Sequence, residues 1–185
     1  MKPLILASAS PRRLEICELL GLDVTVVPAA AEPKADPALS VEQAILQVAK
    51  GKAQDVAAQV PDHPVLGADT AVVVDGEILG KPHSTDHAKE MLRRLSGRRH
   101  QVVTGVWLCD GDRSEGFADT ATVTFGVMTE EEIDAYVASG EPMDKAGAYA
   151  IQGKGMRFIT GICGDFYTVM GLPSGRLYRL LKQHL

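Results

Sequence analysis

The chain has 185 residues, enough for one α/β domain with a sizeable core and no need of disulfides or a structural metal. Hydrophobic residues at 45% and charged residues at 23% are ordinary for a globular fold, and 18 glycines with 10 prolines fall short of low complexity. With 19 basic against 24 acidic residues the net charge is −5, which argues against coating a nucleic-acid polymer or an anionic membrane, and no apolar run approaches the ~20 residues of a membrane helix.

Leu4–Ala7 reads as a short buried strand, too short to form a signal peptide with Lys2. Ser10 and Pro11 form an N-cap and first-turn pair for a helix that Gly21 stops. Val24–Val27 is a second strand, and Pro28–Pro37 is a loop holding Glu32 and Lys34. Ser40 and Gln43 have capping-box spacing ahead of a helix predicted to run to about Val60. Val65–Val74 reads as a strand interrupted at Asp69-Thr70, followed by an Asp75-Gly76 hairpin turn and a return strand over Glu77–Lys81. Ser84 or Thr85 caps a helix ending before Gly97. Two strands follow, Val102–Cys109 and Ser114–Val127, joined at Asp110-Gly111. Thr129 and Glu132 form a second capping box. After the glycine-rich stretch Gly147–Gly155, strands are predicted over Arg157–Ile162 and Phe166–Met170, and Pro173 opens a C-terminal helix. Two adjacent hairpins argue for a mixed sheet. The expected fold is therefore α/β, a mixed twisted sheet flanked by helices, with two lobes around a central cleft, forming a single domain over residues 1–185. Cys17, Cys109 and Cys163 are odd in number and far apart, with no C-x-x-C, which speaks against a zinc knuckle and for a reducing cytoplasm.

Three stretches carry candidate chemistry. Arg12 and Arg13 sit in the first turn of a helix, where the dipole disfavours cations. A bound polyanion would explain them, with Ser8, Ser10 and free amides beside it; pairing with acidic neighbours would explain them as well. Asp69 lies in a strand, where aspartate is disfavoured, so it is placed at a strand end or bulge with a metal, a cation or water to satisfy it. Counting back from the hairpin turn pairs Thr70 with Lys81, and Gly67 and Gly80 leave room for close approach. Gln152 can both donate and accept, as reading a base edge requires, although for this stretch taken alone an ordinary glycine-rich loop is the better explanation. His83 and His87 at i, i+4 read as a solvated pair, and no Ser/His/Asp triad can be assigned.

Taken together, Leu4–Arg13, Gly67-Ala68-Asp69-Thr70, Gly80-Lys81-Pro82, Lys145–Tyr149 with Ile151-Gln152-Gly153, and Val169–Pro173 resemble the Maf family of nucleoside triphosphate pyrophosphatases, in order and over essentially the whole chain. The resemblance implies a fold like that of inosine triphosphate pyrophosphatases. It also implies hydrolysis between the α- and β-phosphates, giving monophosphate and pyrophosphate with a divalent cation, Mg2+ or Mn2+. On matching positions Asp69 would accept the proton of the attacking water. Arg12, Thr70 and Gln152 would set specificity, in the combination of the dTTP/UTP-preferring branch rather than the 7-methyl-GTP branch. Ser8, Ser10, Arg13, Lys52 and Lys81 would bind phosphate, and Glu32 with Asp69 would hold the metal. The family often has further acidic residues before Glu32; here the chain reads Ala29-Ala30-Ala31. A homodimer is what the family analogy suggests. Two other readings are a house-cleaning enzyme for modified nucleotides and a nucleotide-binding regulator of cell division with little catalysis.

Overall fold

A computed structural model describes residues 3–30 and 32–184; Lys2 and Ala31 of the sequence reading lie outside them. In chain order the elements are β1 (Leu4–Leu6), α1 (Pro11–Leu19), β2 (Val24–Val26), α2 (Val41–Ala57), β3 (Val65–Val74), β4 (Glu77–Leu79), α3 (Thr85–Leu95), β5 (Arg99–Asp110), β6 (Arg113–Phe125), α4 (Glu130–Ala138), β7 (Ile159–Cys163), α5 (Phe166–Met170) and α6 (Ser174–His184). The strands form one mixed sheet in the order β2-β1-β3-β5-β6-β7, with β4 pairing off β3. β1 runs parallel to β2 and β3, whereas the β3–β4 and β6–β7 pairs are antiparallel. The fold is thus the predicted α/β arrangement of a mixed sheet with helices. Three short 3-10 turns, at Glu141–Asp144, Ala146–Ala148 and Lys154–Phe158, fill the glycine-rich region.

The chain divides into two compact units. The first comprises Met1–Thr70, Thr104–Asp119 and Gly171–Leu185. Its core holds Ile5, Ala7, Ala53, Val56, Val65 and Cys109. Ser40 caps α2 through its side chain, with the reciprocal Gln43 contact, so the helix start is fixed by local chemistry. α2 ends at Ala57, one turn short of the predicted Val60. Its backbone runs very close to β3 and β5. A Cβ on Gly67 would sit 2.3 Å from the Ala49 carbonyl oxygen, and one on Gly105 would sit 2.9 Å from that of Ile45. No side chain fits between helix and sheet at either point.

The second unit comprises Ala71–Val103 and Thr120–Met170. α3 turns Ala88, Met91, Leu92 and Leu95 into its core. The opposite face carries ion pairs, Arg93 with Glu130, Arg94 with Glu77 and Lys89 with Asp134. Solvent screens these exposed pairs, so the apolar face holds the helix. Asp75 and Gly76 both have positive φ, 54° and 78°, as a type I′ turn requires, and the register pairs Val74 with Glu77, Val73 with Ile78 and Val72 with Leu79 as predicted.

Several sequence expectations fail, each for an identifiable reason. β3 is continuous through Asp69-Thr70, because a lysine satisfies the aspartate in place. β4 stops at Leu79, so the Ala71–Gly80 and Thr70–Lys81 pairs are not made; the Gly80 carbonyl accepts from the Gly147 amide instead, at 3.1 Å. The close approach expected at Gly80 is absent, for a Cβ there would meet nothing within 4 Å. Phe166–Met170 is a helix, not a strand: the Asp165 carboxylate accepts the Tyr167 amide at 2.9 Å and its carbonyl accepts that of Thr168 at 3.1 Å, which winds the first turn. The β5–β6 turn falls at Gly111-Asp112, one residue later than predicted.

His100, in this second unit, is buried at 3% exposure. Its Nε2 lies 2.7 Å from the Tyr149 hydroxyl, its Nδ1 has no partner, and its ring meets Phe125 edge-on. Burial pushes its pKa down to about 4. The unfolded chain takes up this proton near pH 6.5 and the folded chain only near 4, so between those values the unfolded state binds more protons. Stability is therefore complete above about pH 6.5 and falls as the pH drops toward 4, by up to about 3 kcal/mol from this group. Urea titrations across that window should show a shallower acid loss in His100→Phe than in the wild type.

Candidate active site

The candidate residues of the first unit gather where β1 runs into α1 and where β3 passes α2. Ser10 occupies the N-cap of α1 and Pro11 its first turn, but the Ser10 hydroxyl makes no capping bond, contrary to the sequence expectation; its amide donates to Ser8 Oγ at 3.3 Å. Arg13 is buried, only 9% exposed, and its guanidinium is committed on three sides. Nε donates to the Gly171 carbonyl at 2.9 Å, Nη1 to Ser8 Oγ at 2.9 Å and Nη2 to Thr70 Oγ1 at 3.0 Å. Thr70 Oγ1 in turn lies 2.9 Å from Thr104 Oγ1, in the middle of β5 and fully buried. Burial lowers the Arg13 pKa from its ordinary value, and the charge of Asp69 opposes that drop. Pairing with an acidic neighbour is not what Arg13 does: its hydrogen-bond acceptors are two hydroxyls and a carbonyl, not a carboxylate. The arginine fixes Ser8, Thr70 and Gly171 to one another. Lysine has no fork to reproduce those three directions. Arg13→Lys should therefore cost about 1.5–3 kcal/mol, the worth of one lost bond to a charged group, read as a fall in urea midpoint.

On β3, Asp69 turns its side chain toward α2. Lys52 Nζ, on that helix, donates to Asp69 Oδ1 and Glu32 Oε1, both at 2.7 Å. Lys52 and Asp69 are mostly covered, at 13% and 18% exposure, whereas Glu32 is open at 72%. No donor among the described residues reaches Asp69 Oδ2. The result is a carboxylate held in one orientation through one oxygen, with the other accepting from no described residue and a second carboxylate beside it. Among the described residues no cluster of three or more His, Cys, Asp or Glu could hold a metal ion. The Asp69–Glu32 pair nonetheless fits a hard divalent cation. Mg2+ and Mn2+ prefer oxygen donors, and Mg2+ is commonly held by one or two carboxylates with substrate phosphates and waters completing the shell.

The remaining candidates have no such partners. Arg12 is half-buried and makes no hydrogen bond or ion pair among the described residues. Lys81 and Gln152 belong to the second unit, are exposed and likewise have none there. His83 and His87 stack at 4.0 Å between ring centroids, without a third ligand. Sequence reasoning missed Thr104 and the Gly171 carbonyl, whose roles depend on contacts 34 and 158 residues away along the chain. Gly171 has φ +115°, and a Cβ there would lie 3.3 Å from Thr70 Oγ1, so its glycine was the available signal.

Comparison with known proteins bears on this arrangement. The structure of a HAM1 protein from Coxiella burnetii superposes with a TM-score of 0.56 at 16% identity, covering 99% of this chain and 100% of the other, which places the two in one fold. A protein of Bacillus velezensis named dTTP/UTP pyrophosphatase is 50% identical over 98% of this chain and 96% of its own length. One of Bacillus cereus with the same name is 50% identical over 99% of this chain and 90% of its own. The model of the Maf-like protein family matches residues 3–184, and with relatives this similar over nearly its whole length the chain belongs to the Maf family.

Proposed function

We propose that this chain is a nucleoside triphosphate pyrophosphatase that converts dTTP and UTP to the monophosphate and pyrophosphate, working as one functional domain in the cytoplasm with Mg2+ or Mn2+. The observation that carries the reading is the Asp69 carboxylate clamped through one oxygen by Lys52, in a chain half identical to proteins of that name. Three free cysteines are in keeping with a reducing compartment.

The chemistry follows from charge and geometry. The bond that breaks joins the α-phosphorus to the bridging oxygen, and the bond that forms joins it to water oxygen; the electron pair leaves on pyrophosphate. Asp69 takes the proton of the attacking water, a general-base contribution of about 10²–10⁴-fold. Lys52 holds that carboxylate in one orientation, so less freedom is lost on reaching the reactive geometry. Ser8 and Ser10 offer hydroxyls and Arg13 its charge to phosphate, and the same guanidinium holds Ser8 and Thr70 in place. Arg12 and Lys81 offer cations without protein partners, which a triphosphate requires of a chain of net charge −5. Gln152 presents a donor and an acceptor for a base edge. A divalent cation on Asp69 and Glu32 would neutralise charge on the phosphates when bound.

A panel of ATP, GTP, CTP, UTP, dTTP and 7-methyl-GTP, assayed with each metal, tests the reading. Pyrophosphate release fastest from dTTP and UTP is the expected result. Orthophosphate release, or preference for a purine or methylated nucleotide, would overturn it.

A further inference from the structure

The glycine-rich segment that carries Gln152 is tied down by a network that neither the catalytic carboxylate nor the phosphate ligands use. Glu141 opens the 3-10 turn Glu141–Asp144. Its Oε1 accepts the Lys154 amide at 2.9 Å; its Oε2 accepts the Gly155 amide at 3.0 Å and the Tyr136 hydroxyl at 2.7 Å. The Tyr136 oxygen accepts the Ala150 amide at 3.2 Å. Backbone on both sides of Ile151-Gln152-Gly153 is thus bound to one carboxylate and one phenol. Tyr136 is itself fully buried and packs its ring edge-on against Phe158, 5.3 Å between centroids.

The chain wraps this pair so closely that side chains are excluded. Gly153 has φ +137°, and a Cβ on it would lie 2.4 Å from Glu141 Oε1; a Cβ on Gly155 would lie 2.6 Å from the Tyr136 hydroxyl and the Ala150 carbonyl. Burial opposes ionisation of Glu141, but the donors outweigh it and hold its carboxyl below the ordinary range. Gln152 stands exposed at the crest, with no protein partner among the described residues. A flexible glutamine on a flexible loop would lose much conformational freedom on binding a base; a loop anchored on both flanks loses less.

We propose that Glu141, acting with Tyr136, is the positioning residue for base recognition, holding the Ala150–Gly155 loop so that Gln152 meets a pyrimidine edge in one orientation. The inference rests on the reading of Gln152 as the base-recognising side chain. Glu141→Gln keeps the shape but places an amide donor where a carboxylate oxygen accepted, so an acceptor is lost and two donors face each other. Tyr136→Phe removes the hydroxyl that donates to Glu141 and accepts the Ala150 amide, and leaves the Glu141 contacts to Lys154 and Gly155 in place.

The test measures kcat and KM for dTTP and CTP in the wild type, Gln152→Ala, Glu141→Gln, Tyr136→Phe and the Glu141→Gln/Gln152→Ala double variant, with thermal midpoints alongside. Glu141→Gln is expected to lower the dTTP-to-CTP ratio of kcat/KM about tenfold, the worth of one hydrogen bond, through KM with kcat within twofold. Tyr136→Phe should move the ratio the same way by a smaller factor, and the double variant should discriminate no worse than Gln152→Ala. A merely structural role would lower the thermal midpoint and leave the ratio untouched in Glu141→Gln and Tyr136→Phe. That result, with Gln152→Ala still losing discrimination, overturns the positioning role and leaves the base reading standing. An unchanged ratio in Gln152→Ala itself overturns both.

Discussion

Asp69→Asn is expected to lower the rate of pyrophosphate release by about 10²–10⁴-fold while leaving the fold and nucleotide affinity largely intact. Asparagine matches aspartate in shape, and its side-chain oxygen can still accept from Lys52 Nζ, which lies 2.7 Å from Oδ1. The ion pair becomes an ordinary hydrogen bond, a loss of about 1 kcal/mol for a partly exposed pair. Lys52 keeps its second partner, Glu32. Removal of one negative charge makes the surroundings more attractive to a triphosphate, so affinity should hold or improve. The amide, however, cannot take a proton from water at neutral pH, so the loss falls on kcat. Steady-state pyrophosphate release and calorimetric titration with a nonhydrolysable nucleotide separate the two effects. Turnover within threefold of wild type would remove Asp69 from the base role and leave the Lys52 pair as a structural tie.

What could be read from the chain alone follows the range of the interactions. Capping boxes at Ser40 and Thr129 and the Asp75-Gly76 turn are set by neighbours three residues away or fewer, and the structure has each where the sequence placed it. Asp69 was legible as a residue in need of a partner, since aspartate in a strand is costly; that the partner is Lys52 was not, because the contact depends on how α2 lies on β3. Arg13 shows the same limit: two arginines at a helix start call for an anion or acidic neighbours, and nothing in the local sequence shows that one of them also donates to Gly171, 158 residues along the chain. The helix at Phe166–Met170 was misread because a run of β-formers outweighed one aspartate, and the side chain that turns the backbone, Asp165, lies just outside the run. The Glu141 contacts escaped notice for a related reason. Each of its donors looks unremarkable in sequence, and only folding brings the Lys154 and Gly155 amides to one carboxylate.

Gly67→Ala should be strongly damaging in the first unit, harming stability and turnover through the same displacement. The added methyl would lie 2.3 Å from the Ala49 carbonyl oxygen, 2.7 Å from the Ala53 nitrogen and 2.9 Å from the Ala53 Cβ. Two of these three atoms are backbone of α2, so no rotamer change relieves the clash; the helix must move or β3 must bend. Overpacking of cores commonly costs 1–3 kcal/mol, and the rigidity of the obstacle puts this case at roughly 3–5. For a chain of this size that corresponds to a thermal midpoint lower by roughly 10 °C. Lys52 lies on α2 between the two residues that would be pushed, and its 2.7 Å contact with Asp69 depends on the close approach that Gly67 permits. A shift of about 1 Å in such a group can cost about 10²-fold in rate, so the surviving folded enzyme should also be slow. Gly80→Ala is the control, since nothing lies within 4 Å of its added carbon and its φ is not positive. It should leave the thermal midpoint within about 2 °C of the wild type, as surface substitutions do. Thermal unfolding and pyrophosphate release measured on both variants at a temperature where each is folded give the two effects separately. If Gly67→Ala melted with the wild type, α2 would have to lie farther from β3 than these distances allow; if it melted early but turned over normally, the orientation of Asp69 would not depend on Lys52.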